Sequence, residues 1–200
     1  MDGFERRRET KKTNIRNAAF ELLNQFGAQK VSIAEIAKKA NVSQVTIYNY
    51  FGSKDQLVFD VVKTYTESIF AQYLDILNRD ISFKEKLERL IEQEMKAAET
   101  ISTDFFISLL QTNPEVQQYY AEFQEKQGMP FFFRFVEEGK QSGHIDSSLS
   151  NDTIAFYFQM YYRELLNHPE MYRDEDKKRT FTKDILQLFF YGLIGKEKRS

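Results

Sequence analysis

The side chains best suited to specific chemistry lie in a short run near the N-terminus of the chain. Five of its residues share the outer face of a predicted short helix: Gln44, Val45, Thr46, Tyr48 and Asn49. Together they offer amides, hydroxyls and an aliphatic group, a set able to reach base edges and phosphate oxygens of DNA. The polar members have no role in a small helical core, so their presence favours a DNA-contacting face.

Residues typical of enzymes are missing or isolated. The chain has no cysteine, and its two histidines, His144 and His168, stand apart from any catalytic partner or metal-ligand spacing. No glycine-rich phosphate loop occurs. The acidic pairs Glu92-x-Glu94 and Glu137-Glu138 are interpreted as solvated helix faces. We therefore expect no enzyme activity, no cofactor and no metal. The alternative is an enzyme that uses an aromatic cavity.

The charge of the chain is unevenly distributed. Residues 1–54 carry ten Lys or Arg and five acidic residues, a net charge of +5. The remaining residues carry 18 basic and 25 acidic residues, so the overall charge of −2 conceals an acidic body. A basic head on an acidic body is typical of a protein whose head alone contacts a polyanion.

Helical periodicity dominates the sequence. Apolar residues recur at spacings of three and four, and strand alternation and hairpin turn signals are missing. Three capping boxes mark helix starts: Ser32-x-x-Glu35, Ser53-x-x-Gln56 and Ser82-x-x-Glu85. We predict an all-α fold of about nine helices, near 8–26, 33–39, 43–49, 54–78, 82–99, 102–111, 115–141, 152–167 and 175–194.

The run at 44–49 belongs to a predicted helix-turn-helix at 32–51. Ile33, Ile36 and Ala37 face inward on the first helix, and Ile47 is the inward anchor of the second. Asn41 is the residue best able to adopt the left-handed backbone of the turn, as Gly27 is at the end of the preceding helix. A helix as short as the second is unstable alone, so the helices at 8–26 and 54–78 must hold it.

These residues carry a family resemblance. The chain resembles the N-terminal signature of TetR-family regulators at Phe20, Phe26-Gly27, Val31-Ser32-Ile33, Ile36-Ala37, Ala40, Val42-Ser43, Thr46-Ile47-Tyr48, Tyr50-Phe51, Ser53-Lys54 and Leu57. The resemblance implies a three-helix DNA-binding domain at 1–54 and a helical regulatory and dimerisation domain at 55–200. It also implies a DNA-binding transcriptional regulator, namely a repressor that a small, largely apolar ligand releases from a near-palindromic operator.

Roles for single residues follow from the same resemblance. Gln44, Val45 and Asn49 would face the major groove, where amides pair with adenine and Val45 meets a thymine methyl group. The complete predicted DNA site is Ser32, Ser43, Gln44, Val45, Thr46, Tyr48, Asn49 and Lys54. The sequence departs from the family pattern at Asn41, where glycine is usual, and at Ala34, where some members carry a basic residue. The basic segment from Arg6 to Lys12 is interpreted either as a DNA-contacting arm or as a solvated tail.

The body of the chain is rich in aromatic residues, and 24 of the 30 Phe and Tyr follow residue 55. Residues 154–166 are apolar on several sides, which indicates a helix buried on several sides. Together with the last helix this predicts a four-helix homodimer interface made by Ile154, Phe158, Tyr161, Leu165, Phe181, Ile185, Leu188 and Phe189. A two-fold dimer would present two recognition helices to the half-sites of a double-stranded DNA operator.

The remaining aromatic residues suggest a cavity between helices. The predicted wall is Phe106, Leu109, Leu110, Tyr120, Phe123, Phe132 and Met160. The resemblance implies a small effector, and this lining favours a large, flat and apolar one. The alternative is a DNA-binding regulator that responds to a protein partner or to no ligand.

The sequence has no run of about 18 apolar residues, so no membrane association is expected. The first residues, Met1 to Arg8, are charged and lack an apolar segment behind them, unlike a signal peptide. These features, with the lack of cysteine, lead us to expect a cytoplasmic protein.

Overall fold

The computed structural model describes residues 3–168 and 175–193, which form helices joined by short connections. This confirms the all-α prediction. In chain order the helices are α1 (Gly3–Phe26), α2 (Ile33–Lys39), α3 (Gln44–Phe51), α4 (Lys54–Asn78), α5 (Phe83–Thr100), α6 (Thr103–Thr112), α7 (Pro114–Phe123), α8 (Met129–Gln141), α9 (Asn151–Asn167) and α10 (Glu175–Leu193). The predicted end of the last helix, at residue 194, lies outside the described residues.

The single helix predicted at 115–141 contains a π-helical segment. Residues Gln124–Gly128 join α7 to α8, and the Met129 N–H donates to the carbonyl of Gln124, five residues earlier. Pro130 follows directly. Proline has no N–H and its ring crowds the carbonyl four residues before it, which favours a local widening of the helix. The π-helical segment joins α7 and α8 into one continuous helix. Counted in this way, the described residues form nine helices, the number that the periodicity predicts.

The N-terminal core extends beyond the predicted domain boundary at residue 54. Its fully buried side chains include Ile15, Ile36, Ile47 and Leu57 from α1 to α4. The same cluster also contains residues from α6 and α7, namely Phe105, Leu109 and Val116. The helix-turn-helix therefore shares one apolar core with two helices of the C-terminal body.

A second core holds the C-terminal body together. It joins the end of α4 to α5, α8, α9 and α10 through Leu77, Phe83, Val136, Ile154 and Phe189. Aromatic pairs supply much of this packing; the rings of Phe132 and Phe158, for example, stack 4.4 Å apart. No helix in the described ranges is both long and apolar enough to cross a membrane.

Local signals in the sequence set most of the helix ends. Ser32 and Ser82 form the predicted capping boxes with Glu35 and Glu85. Ser53 accepts a hydrogen bond from the Gln56 N–H, but the Gln56 side chain does not return to the cap. It donates instead to both carboxylate oxygens of Glu115, at 3.1 and 2.9 Å. This third capping box is therefore only half formed, because a residue of α7 competes for the amide.

The turn between α2 and α3 depends on a left-handed residue. Asn41 has a φ of +53°, the only positive value at a non-glycine residue in the described chain. The following N–H, of Val42, donates to the Ala37 carbonyl at 3.0 Å and closes the end of α2. This confirms the role predicted for Asn41; Gly27, with a φ of +83°, likewise confirms the predicted end of α1.

We expect Asn41→Ala to lower the free energy of unfolding by about 1 kcal/mol, because a left-handed backbone costs an ordinary residue roughly 1–2 kcal/mol. Asn41→Gly is expected to leave stability unchanged or slightly higher, since glycine adopts this conformation without steric cost. Urea unfolding followed by circular dichroism measures both values. Equal stabilities for the alanine and glycine variants would show that the backbone of this turn is not strained.

Candidate nucleic-acid interface and internal cavity

The predicted recognition helix α3 packs against the core on one face and is exposed on the opposite face. Ile47 points into the N-terminal core and is 0% exposed. Val45 and Tyr48 on the opposite side are 66% and 48% exposed, unusually high values for large apolar or aromatic side chains. Gln44 and Asn49 are also exposed. The helix thus presents four of the predicted contact residues on a face that nothing in the described chain covers.

The predicted hydroxyl contacts are less free than the sequence indicates. The Ser32 hydroxyl donates to the Glu35 carboxylate at 2.7 Å and accepts from the Glu35 N–H at 3.2 Å. The hydroxyls of Ser43 and Thr46 lie 2.8 Å apart and share a hydrogen bond, while Ser43 also caps α3. Any contact of these groups with phosphate has to be made alongside, or in exchange for, these internal bonds.

Glu35 is a charged residue of this face that the sequence interpretation left without a role in binding. Hydrogen bonds from Ser32 hold the pKa of its carboxyl below the usual range, and the charge of Lys54 acts in the same direction. Lys54 is half-buried at the start of α4. A carboxylate therefore accompanies the lysine at the predicted phosphate contact, which reduces the local positive charge.

Two arginines on α1 contact aromatic residues at the end of the recognition helix. The Arg8 guanidinium lies 5.9 Å from the centre of the Tyr50 ring, and the Arg16 guanidinium lies 5.9 Å from that of Phe51. Arg16 also forms an ion pair with Asp60 of α4. These contacts, of the cation–π type, tie α3 to both flanking helices. Sequence spacing gave no signal for them, since the partners are distant in the chain.

The predicted N-terminal arm is part of a helix. Helix α1 begins at Gly3, so the basic segment at 6–12 is helical and its arginines are exposed on the helix surface. An extended arm that enters a minor groove is therefore not the conformation of the free protein. The positive charge of the segment nevertheless remains on the side of the molecule that carries α3, through the contact between Arg8 and Tyr50.

A large cavity, partly open to solvent, lies between the helices of the C-terminal body. Its volume is about 460 Å³, within the usual range for small-molecule sites. Residues from α4 to α10 line it, and most of them are aromatic, including Phe70, Tyr73, Phe131 and Tyr162. A solid core at this place would leave no such space, so the structure provides room for a ligand between the helices.

The predicted wall residues divide into three groups. Phe106, Tyr120, Phe123 and Phe132 line the cavity. Leu109 is 4% exposed in the N-terminal core, Leu110 packs against that core, and neither lines the cavity. Met160 is 37% exposed on the outer surface of α9. The prediction was wrong for these last three, because their helix faces are set by tertiary packing.

The predicted dimer residues are mostly enclosed within their own chain. Ile154 is 1% exposed and Phe189 is 7% exposed, while Phe158, Tyr161 and Ile185 line the cavity. Phe181 is half-buried, and the side chain of Leu165 lies outside the described residues. Of the predicted set, Leu188 is well exposed, at 59%. The sequence stripe therefore identified the inner faces of α9 and α10 and not their outer faces.

The outer face of these two helices carries other apolar residues. Phe156 is 68% exposed, and Met160 lies one turn further along the same side of α9. Helices α9 and α10 pack together through Tyr157 and Phe189, whose rings stack 5.4 Å apart. This packing leaves Phe156, Met160 and Leu188 on the outside, where the free chain gains nothing from their apolar surface.

Glu94 corrects the interpretation of Glu92-x-Glu94 as a solvated pair. Glu92 is exposed, but Glu94 lines the cavity and accepts a 2.7 Å hydrogen bond from the Tyr73 hydroxyl. The side chain keeps accessible surface, and it lies on the wall of the cavity. Burial raises the pKa of the Glu94 carboxyl, while the hydrogen bond from Tyr73 partly opposes that shift. Glu138, of the other acidic pair, forms an ion pair with the buried Lys86.

Metal coordination finds no support in the part of the chain that the structure describes. No cluster of three or more His, Cys, Asp or Glu side chains with ligating geometry occurs in these residues. His144 lies against the Phe83 ring, 5.3 Å between centres, which fits a packing role.

Comparison with known proteins agrees with this architecture. Residues 15–61 match the family model described as "Bacterial regulatory proteins, tetR family". The HTH-type transcriptional regulator YvdT of Bacillus subtilis is 34% identical over 79 residues, which cover 40% of this chain and 41% of YvdT. The HTH-type transcriptional repressor KstR2 of Mycobacterium tuberculosis is 21% identical over 159 residues, 77% of this chain and 78% of KstR2.

Solved structures of similar proteins extend the likeness to the whole fold. The transcriptional regulator FadR from Bacillus subtilis, crystallised in complex with stearoyl-CoA, superposes with a TM-score of 0.70 at 22% identity, covering 90% of this chain and 98% of FadR. The matched segment at 15–61 contains α2, the turn and α3, which carry the exposed contact face. Residues 15–61 therefore match the DNA-binding segment of tetR-family regulatory proteins, and the whole chain shares the fold of solved regulators such as FadR.

Proposed function

We propose that the protein is a repressor that binds a near-palindromic operator as a homodimer and leaves it when a small, largely apolar ligand enters the cavity. The observation that carries this proposal is a shared pair of helices. Helices α6 and α7 contribute to the N-terminal core on one side and to the cavity wall on the other. A change of shape at the cavity is thereby transmitted to the base of the recognition helix.

The two sides of this helix pair are close in sequence. On α6, Phe105 belongs to the N-terminal core and its neighbour Phe106 lines the cavity. On α7, Val116 is fully buried in the core, and Tyr120, one turn later, lines the cavity. Tyr120 and Phe106 also contact each other, 5.4 Å between ring centres. A ligand that moves these two rings has to displace the helices that support the helix-turn-helix.

Further contacts connect the same region to α1 and α4. The Asn24 side chain donates to the Thr100 carbonyl at 2.9 Å and accepts from the Ser102 N–H at 2.6 Å. Glu115 of α7 receives the Gln56 amide described above. These bonds link the connection between α5 and α6, and the start of α7, to the DNA-binding part. They support a mechanism in which ligand binding changes the orientation of the recognition helix.

The homodimer in this proposal uses the outer face of α9 and α10. One recognition helix offers few base contacts, so a dimer that binds two half-sites at once supplies the affinity that one copy lacks. The exposed Phe156, Met160 and Leu188 are the residues that such an interface would bury. In this proposal residues 1–54 bind DNA, and residues 55–200 bind the ligand and form the dimer.

The ligand class follows from the cavity and is in keeping with the relatives' names. The lining is dominated by aromatic and aliphatic side chains. FadR from Bacillus subtilis binds stearoyl-CoA in its crystal structure, and KstR2 of Mycobacterium tuberculosis is described as a ketosteroid transcriptional regulator. Acyl chains and steroids are both largely apolar. We infer the same broad class for this protein, without assigning either compound to it.

Asn49→Ala is expected to weaken binding by about 1–3 kcal/mol at selected base pairs of the operator, because a side-chain amide that contacts a base edge contributes that much discrimination. Lys54→Ala should instead weaken binding to all sequences evenly and reduce its dependence on salt. The operator is first selected from a random DNA pool by the wild-type protein. Fluorescence anisotropy with that operator and its single-base variants, at several salt concentrations, separates the two effects.

Ala34→Ser serves as the matched control, since Ala34 is exposed on α2 and is predicted to contribute no base contact. Wild-type affinity and specificity in both the Asn49 and Lys54 variants would contradict the docking of α3 in the major groove. In the other outcome, apolar compounds bind the cavity without releasing the selected operator. That result would favour the alternative, a regulator that responds to a protein partner or to no ligand.

A further inference from the structure

The cavity contains one acidic side chain and no basic one among the described residues that line it. The lining groups that can ionise are Glu94 and five tyrosines. A carboxylate on a largely apolar wall loses part of its hydration, and a cationic partner offsets that cost. Here the single hydrogen bond from Tyr73 is the only one that the described residues give to Glu94. Among the described lining residues, no basic side chain faces this carboxyl group, which lies at the edge of a space large enough for a ligand.

Aromatic rings surround the same position. The Tyr73 ring, whose hydroxyl binds Glu94, lies 6.1 Å from the Phe131 ring, and Phe131 lies 5.7 Å from Phe70. The charge of Glu94 also acts on Tyr65 and Tyr120 across the cavity. The negative face of an aromatic ring attracts cations, and more strongly where water is excluded. The wall around Glu94 thus has the chemistry of a site for an organic cation.

We propose that the effector is a lipophilic organic cation, a compound with a protonated amine that pairs with Glu94 and an apolar body that fills the aromatic cavity. This inference rests on the proposed function, because it names the ligand class of the same cavity. It narrows that class by the charge of its head group. The partners of the cation are the Glu94 carboxylate and the rings of Tyr73 and Phe131.

Other head groups fit the lining less well. An anionic head would meet the Glu94 charge with no basic side chain from the described lining to balance it. An alcohol would gain one hydrogen bond to Glu94 but no ion pair and little from the ring faces. A cation alone gains from both features, because it restores a countercharge to the carboxylate and interacts with the surrounding rings.

Three fluorescent compounds with the same four-ring body test the inference: pyrenemethylamine, pyrenemethanol and pyrenecarboxylate. We expect the wild-type dimer to bind the amine about tenfold or more tightly than the alcohol, and the carboxylate most weakly. Glu94→Gln keeps the size of the side chain and its ability to accept from Tyr73, and should reduce the affinity for the amine to that for the alcohol. Glu92→Gln, an exposed change of the same charge on the same helix, should alter nothing.

The pH dependence supplies a second measurement. Because burial raises the pKa of Glu94 in the free protein, binding of the protonated amine should strengthen as pH rises through that pKa and release a proton. The tyrosines that face Glu94 remain neutral in this range: Tyr65 and Tyr73 on α4, Tyr120 on α7 and Tyr162 on α9. Glu94→Gln should remove the dependence.

Release of fluorescent operator DNA is measured with the same compounds. Tightest binding and release by the amine, lost in Glu94→Gln, would support the inference. Release by the alcohol or the carboxylate at equal or lower concentration would overturn the cationic head group and leave the apolar-ligand repressor standing. Failure of all three compounds to bind would overturn both, since a cavity closed to this body cannot be the effector site we describe.

Discussion

A protein with Phe156→Arg and Leu188→Glu is expected to be monomeric and to bind its operator about 10²- to 10⁴-fold more weakly than the wild type. The size of this loss is that of the gain from linking two binding modules. Phe156 and Leu188 are 68% and 59% exposed, so the free chain should tolerate charge there. At a dimer interface the same charges would lose their water without a partner, which is strongly unfavourable.

Light scattering coupled to gel filtration gives the oligomeric state, and fluorescence anisotropy with the selected operator gives the affinity. The matched control introduces the same charges at exposed positions elsewhere, as Gln127→Arg with Ser147→Glu. Its state and affinity should equal those of the wild type. A dimeric Phe156/Leu188 variant with unchanged affinity would place the interface on another face of the molecule.

Ile47→Ala is expected to lower the free energy of unfolding by about 2–5 kcal/mol, the usual cost of truncating a fully buried aliphatic side chain. Ile47 is 0% exposed and is the one buried residue of α3. Its loss leaves a cavity beneath a helix of 8 residues, too short to persist without tertiary contacts. Operator binding should fall together with stability, because the recognition helix loses its support.

Two variants bracket this result. Ile47→Val removes a single methylene group and should cost about 0.5–1.5 kcal/mol. Val45→Ala, two residues away on the exposed face, should change stability by less than about 0.5 kcal/mol and still weaken operator binding. Urea unfolding and operator titration measure the two properties separately. Comparable destabilisation by Val45→Ala and Ile47→Ala would contradict the assignment of outer and inner faces on α3.

Local sequence signals were sufficient for the helices and the recognition motif. Capping side chains and left-handed residues act within a few positions of the chain, so Ser32, Asn41 and Gly27 could be assigned without any tertiary contact. Val45 and Ile47 lie on different faces of a helix that two flanking helices support. Their spacing therefore already identifies Val45 as the outer residue and Ile47 as the inner one. The family signature at 15–61 has the same local character.

The assignment of aromatic side chains to core, cavity or outer surface needed the tertiary structure. Phe156 and Phe158 are two residues apart on α9, yet one is exposed and the other lines the cavity. Their types are identical, and a helix that is apolar on several sides gives no preference between its faces. The position of α10, which packs on Tyr157, decides which face remains outside.

Glu94 gives the strongest contrast between the two levels. In the sequence it differs from Glu92 by two positions and resembles any solvated acid of an amphipathic helix. In the structure Tyr73 of α4 donates to it, and rings from five other helices line the space that it faces. The sequence by itself determined that this chain carries a recognition helix. Only the packing of distant helices places one of its many glutamates on the wall of an aromatic cavity, because the surroundings of a side chain are a property of the assembled fold.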